Sequence, residues 1–177
     1  EKLRQLAGDA SEQGKNLKAR AAAPSVRVLA EYYANQHCPI IHMFLAIPSY
    51  ANSPGKIAKR LNISNEELLE CLSILEKSGL ARKAESGYLQ NSMPIHLLEN
   101  SSLSSLHAFH GRMIAVEHNR KRGQEDDEYL TMSFSANAAA VSTIRQLWLK
   151  FHKDVSEVIQ KAPSRDVFHM NFDLFKI

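Results

Sequence analysis

Residues 54–90 carry the pattern that most limits what this chain can become. Ser53-Pro54 reads as an N-cap followed by proline at the first helical position, where the missing N–H costs nothing, and Ile57, Ala58 and Leu61 then recur at helical spacing to Leu61. Asn62-Ile63 makes a turn. Ser64 and Glu67 stand three apart as a capping box, the hydroxyl accepting from the Glu67 N–H and the carboxylate reaching back. Leu68, Cys71, Leu72 and Leu75 form one apolar stripe, and Ser78-Gly79 stops the helix. Leu80–Arg82 and Tyr88–Gln90 are short extended runs around Glu85-Ser86-Gly87, a hairpin signal. Short helix, tight turn, capped longer helix, glycine stop and hairpin is the order of a winged helix-turn-helix, which we expect within residues 39–90.

The flanks are less sharply written. Leu3, Leu6 and Leu17, interrupted by Gly8 and Gly14, suggest that residues 1–24 are a linker or frayed helix. Val26, Leu29, Tyr32 and Tyr33 begin a helical pattern, and Pro39 opens a second segment through Ile41, Phe44 and Leu45, with a loop expected over Pro48–Ser53. These elements place a winged-helix domain at 25–92. Met93–Glu99 reads as a connector; Leu103, Leu106, Phe109, His110, Met113 and Ile114 then outline a helix that ends in the basic run His118–Arg122. After an acidic loop, Tyr129–Ser135 alternates as a strand with Leu130, Met132 and Phe134 on one face. Residues 137–161 form a long amphipathic helix with Ile144, Leu147, Trp148, Phe151, Val155, Val158 and Ile159 as its stripe, ended by Pro163. Val167–Ile177 is a second strand, with Phe168, Met170, Phe172 and Leu174 on one face and His169, Asn171, Asp173 and Phe175 on the other. Strand, helix and strand make a β-α-β unit, parallel if the strands are neighbours, but two strands are too few for a stable sheet, so the wing or a swapped partner would have to complete it. The expected fold class is therefore α+β: a winged helix-turn-helix followed by a C-terminal helix plus β-α-β unit, with 93–177 as a regulatory or dimerisation domain.

Composition excludes several functions. Cys38 and Cys71 are the only cysteines and both lie in apolar stretches, which argues for free thiols in a reducing, cytoplasmic setting. No apolar run approaches the roughly 20 residues that span a bilayer. His107 and His110 stand three apart on one helix face, yet no second ligand pair has matching spacing, so no metal is expected. There is no Gly-x-Ser-x-Gly, no phosphate-cradling glycine loop and no His-Glu-x-x-His, which leaves no catalytic residues, no cofactor and no enzyme to propose.

Net charge of +3 is too mild to demand a polyanionic partner, so the location of the charge must decide. The candidate DNA-contacting residues are Lys56, Lys59, Arg60, Asn65, Ser73, Lys77, Arg82 and Lys83, spread over the first helix, the second helix and the base of the wing. Glu66, Glu67 and Glu70 stand against them, because carboxylates facing phosphates forfeit counterion release. The module therefore has a basic border around an acidic centre, which suits either duplex DNA or a protein partner, including a second copy as a homodimer.

Tyr32-Tyr33 with His42, Ile57–Leu61 through Gly79-Leu80, Phe109-His110-Gly111-Arg112-Met113, Tyr129–Ser135 and Val167–Phe175 together resemble a bacterial family of transcriptional-regulator type. That family is abundant in predatory bacteria and has a C-terminal domain of unknown function; the likeness covers residues 25–177. The family usually has a longer polar residue where Gly111 stands. Its members usually carry a further helix-turn-helix domain upstream, which these 177 residues lack. The resemblance thus implies a transcription regulator, of which this chain is the regulatory part. A protein-interaction or dimerisation module built on a non-DNA-binding winged helix is the alternative, and a small-molecule sensor holding its ligand between the β-α-β unit and the Phe109 helix is the third.

Overall fold

A computed structural model describes residues 26–91, 102–121 and 127–177. The expected linker over 1–24, the connector over 93–99 and most of the acidic loop lie outside the described residues. The fold is α+β and mostly helical, with a two-stranded antiparallel sheet. In chain order the elements are α1 (Val26–Ala34), α2 (Cys38–Phe44), α3 (Pro48–Ala51), α4 (Gly55–Leu61), α5 (Asn65–Lys77), β1 (Ala81–Lys83), β2 (Tyr88–Gln90), α6 (Ser102–Arg120) and α7 (Ala138–Lys161).

Helix α5 is the hub of the N-terminal half. Its predicted stripe, Leu68, Cys71, Leu72 and Leu75, is buried, and it packs against α1, α2 and α4 through Ile41, Ile57 and Ala58. Leu61 and Ile63 close the edge of that core, half-buried. Cys38 and Cys71 meet inside it, both buried as free thiols; a hydrogen bond with Cys71 and burial push the Cys38 thiol well above its ordinary range, so Cys38 remains protonated and chemically quiet. Helix α4 starts at Gly55 without the expected Ser53 cap, its first turn closed by backbone bonds to the Ser53 and Pro54 carbonyls. The expected loop over Pro48–Ser53 holds a single helical turn, α3, because Pro48 fixes φ at a value ready for helix.

The hairpin pairs Ala81 with Gln90, Arg82 with Leu89 and Lys83 with Tyr88. It is tied down at both ends. The Gln90 amide donates to the His42 carbonyl and the Asn91 amide to the Gly79 carbonyl, each at 2.8 Å. At the tip, Gly87 has φ +82° and lies against α3, where an added Cβ would sit 1.9 Å from the Ala51 carbonyl oxygen.

His42 is the imidazole buried in this core. Nδ1 shares a 3.3 Å hydrogen bond with the Tyr32 hydroxyl, whose own pKa burial pushes up, while Nε2 is buried with no partner among the described residues. Burial lowers the His42 pKa, partly offset by the backbone of Asn91 and Leu80.

The C-terminal half corrects the sequence reading in one respect. Residues 129–135 and 167–177 are neither helix nor strand and join no ladder, so no β-α-β sheet forms among the described residues, and the expected buried face of 129–135 is exposed at every position. Opposite faces are seen over 169–173, where His169, Asn171 and Asp173 turn to α6 and Phe172 turns to α7. Helix α7 buries none of its residues. Helix α6 packs on α1, where Tyr33 meets the His107 ring edge-on at 4.9 Å; its buried residue is Gly111, while Leu103, Leu106, His110 and Ile114 of the expected stripe are half-buried and Phe109 and Met113 are exposed.

The closing segment bridges α6 and α7 with its two faces. On the polar face, the Asn171 amide donates to the Gly111 carbonyl at 3.2 Å and the Arg112 Nε donates to Asp173 at 2.8 Å, within a bidentate pair. On the apolar face, Phe172 stacks on Trp148 at 3.9 Å. A Cβ at position 111 would meet the side-chain ends of Asn171 and His169 at 3.0 Å, so a longer residue there would have to displace both.

Two glycines separate conformational strain from contact. Gly79, at φ +70°, has open space around it, so Gly79→Ala should cost about 1 kcal/mol. Gly87→Ala adds a collision with backbone and should cost about 3 kcal/mol or more, both read by urea denaturation. The lowered His42 pKa fixes a sign. The unfolded chain takes up a proton near pH 6.5 that the native imidazole refuses, so stability is full above that pH and falls as pH drops through it. Thermal melts from pH 7.5 down to 5.5 should show a falling midpoint, and His42→Gln should flatten the slope.

Candidate nucleic-acid interface

The surface around α4 and α5 is shaped by the turn between them. Asn62 adopts the left-handed region (φ 55°), a conformation its short side chain tolerates better than most, and the Ile63 N–H returns to the Ala58 carbonyl at 3.0 Å. Ser64 then caps α5, its hydroxyl accepting from the Glu67 N–H at 3.1 Å. The reciprocal half of the expected capping box is replaced: His37 Nδ1 donates to the Glu67 carboxylate at 2.5 Å, which draws that charge towards the α1–α2 junction. The link spans 30 positions. Nothing local in the sequence marks it.

The predicted contact residues fall into three groups. Lys59 and Asn65 line one shallow open groove, together with Gly55, Asn62 and Ser64. Lys56 stands exposed on the same helix, whereas Arg60 is held by Asp166 at 3.5 Å, an exposed pair worth little by itself. Ser73 is half-buried along α5, and Lys77 is exposed at its C-terminal end, where a cation suits the helix dipole. Arg82 and Lys83 are exposed on β1. Among the described residues, no carboxylate pairs with Lys56, Lys59, Lys77, Arg82 or Lys83.

The acidic centre is smaller than its sequence suggests. Glu67 turns to His37, and Glu76 bonds the Tyr88 hydroxyl, whose pKa is raised by burial and by that bond. Glu66 and Glu70 remain exposed, with Leu69 between them, 61% exposed. Sequence periodicity assigned Leu69 no role, because it lies one position off the buried stripe.

Elsewhere, His107 has its pKa lowered by burial and by the neighbouring His169 and His110. Among the described residues no group of three or more potential ligands is placed to hold a metal ion. Asn171 and Asp173 contact α6 directly where the closing segment crosses it. His118 at the basic end of α6 bonds the Tyr129 hydroxyl at 3.0 Å. No helix among the described residues is long and apolar enough to cross a membrane.

No curated protein and no solved structure matches the chain. The profile of a family described as a domain of unknown function, DUF4423, matches residues 16–177, slightly more than the span over which a family likeness was expected. The chain belongs to the DUF4423 family.

Proposed function

We propose that residues 54–90 act as a winged helix-turn-helix in a transcription regulator, gripping duplex DNA by its backbone, with the rest of the chain as its regulatory part. The observation that carries this reading is the run of exposed cations, without a carboxylate partner among the described residues, at the border of α4, α5 and β1: Lys56, Lys59, Lys77, Arg82 and Lys83. Lysine and arginine in that position exchange counterions for phosphates, the sequence-independent source of most affinity. Asn65 and Ser73 are the side chains of α5 suited to base edges. Glu66 and Glu70 oppose close seating of the α5 N-terminus in a groove, which fits a module that positions a regulator more than it reads sequence.

One observation favours a second reading. Leu69, exposed between two carboxylates, is the pattern of a protein-contact surface. The readings separate on one pair of substitutions. If the module holds DNA, Glu66→Lys with Glu70→Lys should tighten binding to a mixed-sequence duplex by about tenfold or more, since like charge at the phosphate array is removed. If the face binds protein, that variant loses its complex and leaves the DNA titration flat.

Anisotropy titrations across a salt series test the main reading. Binding should weaken steeply with salt, and Lys59→Ala with Arg82→Ala should reduce the log–log slope by about two, one for each phosphate no longer neutralised. A duplex that the chain ignores at low salt would overturn it.

A further inference from the structure

We propose that a second copy of this chain covers the open apolar face of α7 and pairs with the segments 129–135 and 167–177, so that the C-terminal sheet not formed among the described residues of one chain forms across a two-fold axis. This goes beyond the DNA reading and does not depend on it.

Area makes the first argument. Fourteen large apolar side chains between Tyr129 and Ile177 are exposed, among them Leu130, Leu147, Val158, Ile159 and Phe168. At about 100 Å² each they present roughly 1,400 Å², against a few hundred for the largest patch of an ordinary monomer and about 800 Å² per partner in a stable complex. Even with half of that area facing elsewhere, enough is left for a dimer. On α7 itself Phe172 stacks on Trp148, and Leu147, Val158 and Ile159 stay open along the same side.

Backbone makes the second. Neither of the two non-helical segments joins a ladder or makes a backbone–backbone hydrogen bond among the described residues, and both carry exposed apolar side chains at every second position of the sequence, which is what a partner strand requires. Each chain thus offers both components of a layered core, a helix with one apolar face and two segments with period-two apolar sequence, and a two-fold operation satisfies both at once.

Charge selects the occupant. Residues 127–177 hold six acidic side chains (Asp127, Glu128, Asp154, Glu157, Asp166, Asp173) and six basic ones (Arg145, Lys150, Lys153, Lys161, Arg165, Lys176), a balance of zero. Two such faces approach without mutual repulsion, whereas a strongly charged partner finds nothing to complement. The N-terminal residues 1–25 are a poor cover, since their large apolar side chains are Leu3, Leu6 and Leu17.

Light scattering on the 177-residue chain at micromolar concentration is expected to give twice the 19.9 kDa chain mass. Leu147→Asp with Ile159→Asp, both on side chains already exposed in the single chain, should give a monomer whose near-ultraviolet signal from the Tyr32–Tyr33 core is unchanged. Thr131→Pro, which removes an edge donor and no apolar area, should also shift the mass towards monomer, and amides of 129–135 should lose exchange protection in both variants. A monomeric parent chain, or a dimer that persists in the aspartate variant, would overturn the proposal.

Discussion

The packing of α5 on the helices that precede it holds the described N-terminal half together. Leu68, Cys71, Leu72 and Leu75 fill the space between Ile41, Ile57 and Tyr32, and the same burial forces the polar groups of α5 to the rim. Each fully buried side chain of this kind contributes about 1.5–3 kcal/mol over leaving it in water. With that seam closed, the cations of α4 and β1 can only point outward, and the two thiols are sealed from solvent.

Much of this half was readable from residue order. The buried stripe, the Ser64 cap, the Gly79 stop and the hairpin each have a local chemical cause, and local causes leave local marks. What escaped depends on partners distant in the chain. Glu67 prefers His37 to its own helix N-terminus, and Gly87 is needed by the Ala51 carbonyl as much as by its turn. The one-turn α3 was hidden because four residues carry no periodicity.

In the C-terminal half two faces are seen over residues 169–173, while no ladder forms along residues 167–177 among the described residues. His169, Asn171 and Asp173 do face one way and Phe172 the other, but the polar face meets a helix, through Gly111 and Arg112. Period two records which side chains share a side. It does not record what lies opposite, a strand or a helix, in this chain or another. For the same reason, the candidate cations were found by type and exposure, while the pairing of Arg60 with Asp166 was not.

The seating of the hairpin tip on α3 has a thermodynamic consequence. A flap that hinges freely must surrender its motion when it meets a ligand, and that loss is subtracted from affinity. Here the Gly87 contact, the Gln90 bond to the His42 carbonyl and the Asn91 bond to the Gly79 carbonyl immobilise the flap when the chain folds. Arg82 and Lys83 therefore reach any polyanion already oriented, with only their own rotamers left to order.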